Sequence, residues 1–369
     1  MKKISKNLQK IFKSFSYLIF SFIYGKIKGV ISFNNDKRFK ILKSKFEDNI
    51  QYNVYRVENA RLYTDRIQDT AIILDNKIVE GPSHQLRPVN NSNIKENIVF
   101  TKGTPRIKKK IKGKVLSLLT GGAGNDNYFH WVFDVLPRIK ICQKILNINE
   151  IDYFLLPDHE KKYQKESLDK LKIPREKRLS SKTYRHILAD EIIVTDHPYC
   201  LNNDADIEIE NIPLWISKWL KESIITDNDN LDKKNYPEKV YIDRSDSISN
   251  TKNLRSITNE SNVKEILRQN GFEILALSNF SFEEQARIFY KAKLIIGLHG
   301  AGFANFCFCE PKTKVVELRS NSSGNVCENL AISNNLNYKS ISCESIGVNY
   351  NNQFGHIKVP IEKLEETIK

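Results

Sequence analysis

"KLIIGLHGAGFANFCFCEPKTKVVELRS", residues 293–320, sets two short apolar runs on either side of a glycine-rich turn. "LIIGL" is too short for a helix and apolar on both faces, as a strand inside a parallel sheet is. "AGFANFCF" starts a helix or a turn, and "TKVVELRS" reads as the next strand. Working back toward the N-terminus, "SFEEQARIFYKA" (281–292) has helical spacing and opens with a capping box from Ser281 to Glu284. "FEILAL" (272–277) is a strand and "NESNVKEILRQNG" (259–271) a helix closed by Gly271, with Asn259 at the N-cap position. "KVYIDRS" (239–245) is the first strand of the series. This alternation predicts an α/β fold with a doubly wound parallel sheet.

The first half is less regular. "KVLSLLT" (114–120) runs into Gly-Gly as a buried strand entering a turn would, and "IDYFLLP" and "DEIIVTD" are further strands with a helix at 164–173 between them. "LWISKWLKESI" (214–224) reads as an amphipathic helix, and the polar "TDNDNLDKKNYPEK" after it as a linker, with a hinge at 225–236. Residues 36–110 hold strand-like runs such as "NVYRV" and "TAIILD" that cannot be ordered from sequence. A chain of 369 residues suits two domains and a short extra segment.

Fifty-eight Lys and Arg against 44 Asp and Glu leave a net charge of +14, which favours anionic partners. No RNP, zinc-finger or helix-turn-helix pattern accompanies the charge, so nucleic acid is not an expected partner. The six cysteines form no C-x-x-C pair and read as reduced, buried thiols of a cytosolic protein. The D-x-D at 227–229 lies in the linker, and the seven histidines include no H-x-H or H-E-x-x-H, so neither metal nor cofactor is expected. The N-terminal "MKKISKNLQKIFKSFSYLIFSFIYGKIKGV" is apolar only from about Phe15 to Tyr24, against the roughly 20 residues a bilayer crossing needs. It fits a basic amphipathic segment lying on an anionic membrane surface, or an ordinary helix packed on the domain.

Ligands of an open parallel sheet bind at the carboxyl ends of its strands. Those ends carry Arg244 and Ser245, Ser278, His299 and Gly300, then Glu317 and Arg319. "HGAG" followed by a helix, with Gly300, Ala301 and Gly302, suits an anion held by backbone N–H groups, or a plain tight turn. Asn305 stands where a dinucleotide fingerprint would have its last glycine. Arg244 and Arg255 have the donor geometry a diphosphate needs, although paired loop arginines also serve as solvated surface. Glu317 is placed to accept from ribose hydroxyls or to form a surface ion pair. In "GGAGNDNYFHWVFDVLPR" (121–138), His130 and Asp134 share a helix face one turn apart. Such a pair can act as a general base, with either residue taking the proton, or can simply join helices as a buried hydrogen bond.

Together "NYFHWVFDVLPR", "DRS…RSITNE" and the segment from "LSNFSFEEQAR" to "TKVVEL" resemble the glycosyltransferase family 61 pattern across about 115–320. The resemblance implies a GT-B-like α/β fold, two Rossmann-like domains with parallel sheets facing a cleft. It implies inverting, metal-independent transfer from a nucleotide sugar to a glycan or lipid-linked acceptor, as in capsular polysaccharide biosynthesis. His130 and Asp134 would then be catalytic on the acceptor side. Arg244, Ser245, Arg255, His299, Gly300, Ala301, Gly302, Asn305 and Glu317 would bind the donor, with Glu317 on the ribose. The expected domains are 1–35, membrane-associating; 36–228, acceptor side; and 229–369, donor side. The C-terminal "IEKLEETIK" is expected to pack as a helix on the N-terminal domain, and the enzyme to work at the inner membrane face. A non-catalytic polysaccharide-assembly or nucleotide-binding protein of the same fold is the alternative.

Overall fold

The computed structural model describes residues 14–32, 36–64, 70–83, 94–119, 127–202, 204–227, 231, 233–245, 255–346 and 356–369. Residues 1–13 of the N-terminal segment, the glycines of 121–126, the linker residues 228–230 and the loop 246–254 lie outside the described residues. The chain divides into two units, Met1–His159 with Ile173–Glu208, and Glu160–Lys172 with Ile209–Lys369. Each is an α/β unit built on its own sheet.

The first unit's strands are β1 (Val30–Ile31), β2 (Phe39–Lys45), β3 (Gln51–Thr64), β4 (Thr70–Leu74), β5 (Lys77–Val79), β6 (Lys109–Ser117), β7 (Tyr153–Leu156), β8 (Arg178–Ser180) and β9 (His186–Thr195). They lie in the order β1-β5-β4-β3-β9-β6-β7-β8, with β2 also on β3. This sheet is mixed, which corrects the expectation of parallel strands throughout. The cause is connection length, because strands joined by short loops can pair only antiparallel. β4 and β5 are joined by Asp75 and Asn76 alone, both with positive φ (48° and 61°), the geometry of a two-residue hairpin turn. β6, β7, β8 and β9 are mutually parallel, and their carboxyl ends form one edge.

Between β6 and β7 the chain forms a helix over Tyr128–His130, a π turn over Trp131–Val135, and a helix again over Pro137–Gln143. Asn127 opens it by accepting from the Phe129 N–H (2.9 Å). Trp131, Val132, Phe133, Asp134, Val135, Leu136, Arg138 and Ile139 are all fully buried. A helix covered on every side has no polar stripe, so each polar side chain it carries must find a partner inside the protein.

The second unit's strands are β10 (Lys239–Asp243), β11 (Glu273–Ala276), β12 (Leu294–Leu298), β13 (Lys314–Ser320), β14 (Asn337–Ile346) and β15 (His356–Lys358). Their order is β11-β10-β12-β13-β14-β15, with only β15 antiparallel. Counted from β10, this is the 2-1-3-4-5 order of doubly wound folds, whose switch point falls between β10 and β12. The expected elements are present: the helix Glu260–Gln269, closed at Gly271 (φ +79°), and the helix Phe282–Lys291 with its Ser281–Glu284 capping box. Helix Lys162–Lys170 joins this unit because Glu166 accepts from the Phe282 N–H (2.7 Å) and Lys170 pairs with Glu283 (2.8 Å).

The C-terminal helix Ile361–Ile368, expected on the N-terminal domain, packs instead within the second unit. Leu364 and Ile368 are buried with Val263, Leu267 and Phe272 in the core of the second unit. Asn259 explains the path. Its side chain makes no cap bond, but accepts from the Val359 N–H (3.0 Å) and donates to the Val359 carbonyl (2.9 Å), fixing the chain just before this helix. All six cysteines are free and buried. Among the described residues no helix is long and apolar enough to cross a membrane.

Candidate functional site

At the switch point of the second sheet, β10 ends at Asp243 and β12 at Leu298, so Arg244 and His299 leave the sheet side by side. Arg244 Nη1 donates to the His299 carbonyl (3.0 Å), and Arg255 Nη1 donates to the same oxygen (3.1 Å). Two guanidinium groups from different parts of the chain therefore meet at one point. Gly300 lets the Arg244 guanidinium approach closely: a Cβ on it would lie 2.9 Å from Arg244 Nη1, and the arginine would have to shift. Burial first, then the like charge of Arg244, lowers the Arg255 pKa to about 10. Positive charge is thus held at this edge against both desolvation and repulsion, a condition that a bound anion relieves.

A 3-10 helix, Ala301–Phe308, starts immediately after Gly300, and its first-turn N–H groups add to the same field. Asn305 is fully buried and donates to the Gly302 carbonyl (3.2 Å), so it holds the loop rather than facing outward. Ser245 is exposed, with its N–H and Oγ both on the Asp243 carboxylate (2.9 Å each).

Glu317 sits below this edge, wholly buried, with one carboxylate oxygen on His299 Nδ1 and the other on the Tyr338 hydroxyl. Arg319 stands 3.8 Å away and also donates to the Ser323 and Gly324 carbonyls, tying down the loop after β13. In this geometry Glu317 orients the His299 ring; a sugar hydroxyl would have to displace Tyr338 or His299 to reach it. His299 Nδ1, Glu317 and the Cys327 thiol lie within 4.8 Å of one another, a spacing that a metal ion could use. The surroundings oppose it, since burial and the neighbouring carboxylate push the Cys327 thiol up, keeping it protonated, and Arg255 and Arg319 bring positive charge.

In the first unit, His130 Nδ1 lies 2.9 Å from Asp134 Oδ2. Asp134 is fully buried, whereas the His130 side chain keeps 19% of its exposure. Burial works to lower the His130 pKa, but the Asp134 charge and hydrogen bond outweigh it, and the net shift is upward. Burial alone would raise Asp134; the charge and hydrogen bond of His130, with the nearby His197, reverse this and hold it below the ordinary aspartate range. With Nδ1–H given to Asp134, the free electron pair of neutral His130 is on Nε2, so this ring can accept a proton from outside.

A family model described as Glycosyltransferase 61 matches residues 128–316, just over half the chain, and covers His130, Asp134, Arg244, Arg255 and His299, ending one residue before Glu317. The chain belongs to the glycosyltransferase 61 family. A search of curated proteins finds no match. Membership implies a transferase with a sugar donor and an acceptor, as the sequence resemblance suggested.

The glycosyltransferase also places residues at the His130–Asp134 pair that sequence reading missed. His197 follows the carboxyl end of β9, and its Nε2 is 3.8 Å from Asp134 Oδ2, an electrostatic contact beyond hydrogen-bond length. Its Nδ1 accepts from the N–H groups of Tyr199 (3.4 Å) and Cys200 (3.1 Å), so the ring proton sits on Nε2, toward Asp134. The signal was available in "DHPYC", a histidine just past a strand end, but only once β9 is known to lie parallel beside β6.

Arg138, one turn beyond Asp134, is fully buried. Its Nε donates to the Asp134 carbonyl (2.9 Å) and its Nη1 to the Thr195 carbonyl (3.0 Å), joining the helix to the end of β9. Arg138→Ala would strand these buried acceptors and is expected to cost on the order of 3 kcal/mol. Denaturant unfolding would show the loss as a lower midpoint at unchanged slope; an unchanged midpoint would mean that the joint is held by other contacts. A depression of about 510 Å³, lined in part by Lys239, Lys293, Lys312 and Lys314, lies at the opposite, amino edge of the second sheet and has none of these groups.

Proposed function

We propose that this glycosyltransferase moves a sugar, with inversion and without a metal ion, from a nucleotide-sugar donor to a glycan or lipid-linked acceptor in the synthesis of a surface polysaccharide such as a capsule. The observation that carries the reading is the convergence of Arg244 and Arg255 on the His299 carbonyl at the switch point, beside the start of a helix. That arrangement suits a diphosphate, with one guanidinium able to grip oxygens of each phosphate. In the reaction, the acceptor oxygen forms a bond to the anomeric carbon as the bond from that carbon to the diphosphate oxygen breaks. The electron pair leaves on the diphosphate, where Arg244 and Arg255 neutralise it. The hydroxyl proton goes to His130 Nε2. Of the pair, His130 is chosen as base because Asp134 is fully buried and out of an acceptor's reach. His130 belongs to the first unit and the two arginines to the second. The net charge of +14 suits an acceptor that carries phosphate, as a lipid-linked glycan does.

Thermal unfolding of the full chain with a panel of nucleotide sugars and nucleoside diphosphates tests the donor half. At 100 times Kd a true donor stabilises by about 2.7 kcal/mol, a readable rise in Tm. Release of nucleoside diphosphate in the presence of a glycan acceptor tests the transfer. Stabilisation without turnover on any acceptor would favour a nucleotide-binding assembly protein, and no stabilisation by any nucleotide would remove the donor site altogether.

A further inference from the structure

Residues 14–24 form a helix that is held to the first unit by one face only. Tyr17 lies against Gly103, where an added Cβ would come within 2.9 Å of its ring. The Tyr24 hydroxyl accepts from the Lys108 N–H (3.0 Å), and its ring meets His186 edge-on at 5.0 Å. The other face carries Phe15, Leu18, Ile19, Phe22 and Ile23, at the i, i+3, i+4, i+7, i+8 positions of one stripe, and all five are exposed, Phe22 by 94%. Ten large apolar side chains are exposed among the described residues; these five are half of them, and a sixth is Ile107, next to the residue that holds Tyr24. A stripe this continuous is a docking surface rather than scattered surface apolarity.

What surrounds it identifies the occupant. Lys26 and Lys28 follow the helix, both exposed, and Ile107 sits within Arg106, Lys108, Lys109 and Lys110 at the start of β6. The Lys108 ammonium stands over the Tyr24 ring (5.0 Å), so the basic strand and the apolar helix are in contact. Apolar side chains bordered by lysines match the acyl boundary and the anionic headgroups of a bilayer surface, and among the described residues no helix is long and apolar enough to cross one.

We propose that the apolar stripe of the 14–24 helix, with Ile107 and the adjoining lysines, seats this protein on anionic lipid bilayers with the helix lying in the interface. This goes beyond the sugar-transfer reading and does not depend on it. Phe22 and Leu18 enter the headgroup layer, and Lys26, Lys28 and Lys110 lie over the anionic headgroups. Salt weakens the attachment because the lysines contribute part of it.

Co-sedimentation of the full chain with vesicles of phosphatidylcholine, with and without phosphatidylglycerol, is the test. Binding is expected to need the anionic lipid. Phe22→Asp, at a fully solvated position, is expected to weaken it about 30-fold. The triple change Lys26→Glu, Lys28→Glu, Lys110→Glu is expected to weaken it about 100-fold. Light scattering run alongside gives the oligomeric state. Vesicle binding indifferent to Phe22→Asp would overturn the proposal. So would a protein that ignores vesicles, whether it is a monomer or a dimer that Phe22→Asp dissociates; the dimer would assign the stripe to a second copy of the chain.

Discussion

Turnover of a His130→Ala variant is expected to fall by about 10²–10⁴-fold, the range for loss of a general base, with donor affinity unchanged. The geometry allows a sharper test through Asp134. The raised pKa of His130 depends on the Asp134 carboxylate 2.9 Å away, since burial alone would push it down. A base works in its neutral form, so kcat/KM should rise with pH through that raised value. Asp134→Asn removes the charge, and the acid limb of the profile should move to lower pH while the plateau drops. Stability should follow the same linkage. A histidine whose folded pKa is raised contributes stability that is fully present below its unfolded value, about 6.5, and is lost as pH rises through the folded value. His130→Ala should therefore destabilise the protein more in mild acid than in mild base. Turnover near wild type in both variants, with melting temperatures lowered, would make the pair a structural joint and leave the reaction without its base.

How far the sequence could be read depended on how local each pairing is. β10 to β13 were legible because each strand is followed by its own crossover segment and the joints are marked, by Gly271 and by the Ser281–Glu284 box. The strand-end rule placed Arg244 and His299 at one edge and the reading of the 243–260 loop added Arg255; in the structure both arginines donate to the His299 carbonyl. Glu317 was read at a strand end and facing a ligand, whereas it lies within β13, buried against Tyr338, a partner on the neighbouring strand 21 residues later. The first unit resisted. β3 pairs with β2, β4 and β9, and its match to β9 joins residues more than a hundred positions apart, which no local pattern announces. His197 was invisible for the same reason. The π turn at 131–135 was also hidden, since a wholly buried apolar helix has no periodic stripe whose shift would betray an extra residue per turn.

Arg255→Ala is expected to reduce nucleoside diphosphate affinity and turnover by about 10²-fold, roughly 3 kcal/mol of lost charge stabilisation, without lowering Tm. The absence of a stability loss is the distinctive part. Arg138 and Arg255 are both buried arginines with pKa values lowered to about 10, yet their roles separate by what they touch. Arg138 donates to backbone carbonyls of the helix and of the end of β9, so the fold depends on it. Among the described residues Arg255 donates to a single carbonyl that Arg244 also serves, and it is held near a like charge at the cost of desolvation. Removing it leaves the His299 carbonyl satisfied and relieves repulsion, so Tm should hold or rise. Such a site is strained until an anion arrives, which is how binding sites trade stability for affinity. Lysine is not an equivalent replacement, because one ammonium cannot grip two phosphate oxygens in a plane. Calorimetry of Arg244→Ala and Arg255→Ala with the preferred nucleoside diphosphate decides the matter. Undiminished binding in both variants would move the donor away from the switch point, and a lowered Tm in Arg255→Ala would make this arginine a structural clamp like Arg138.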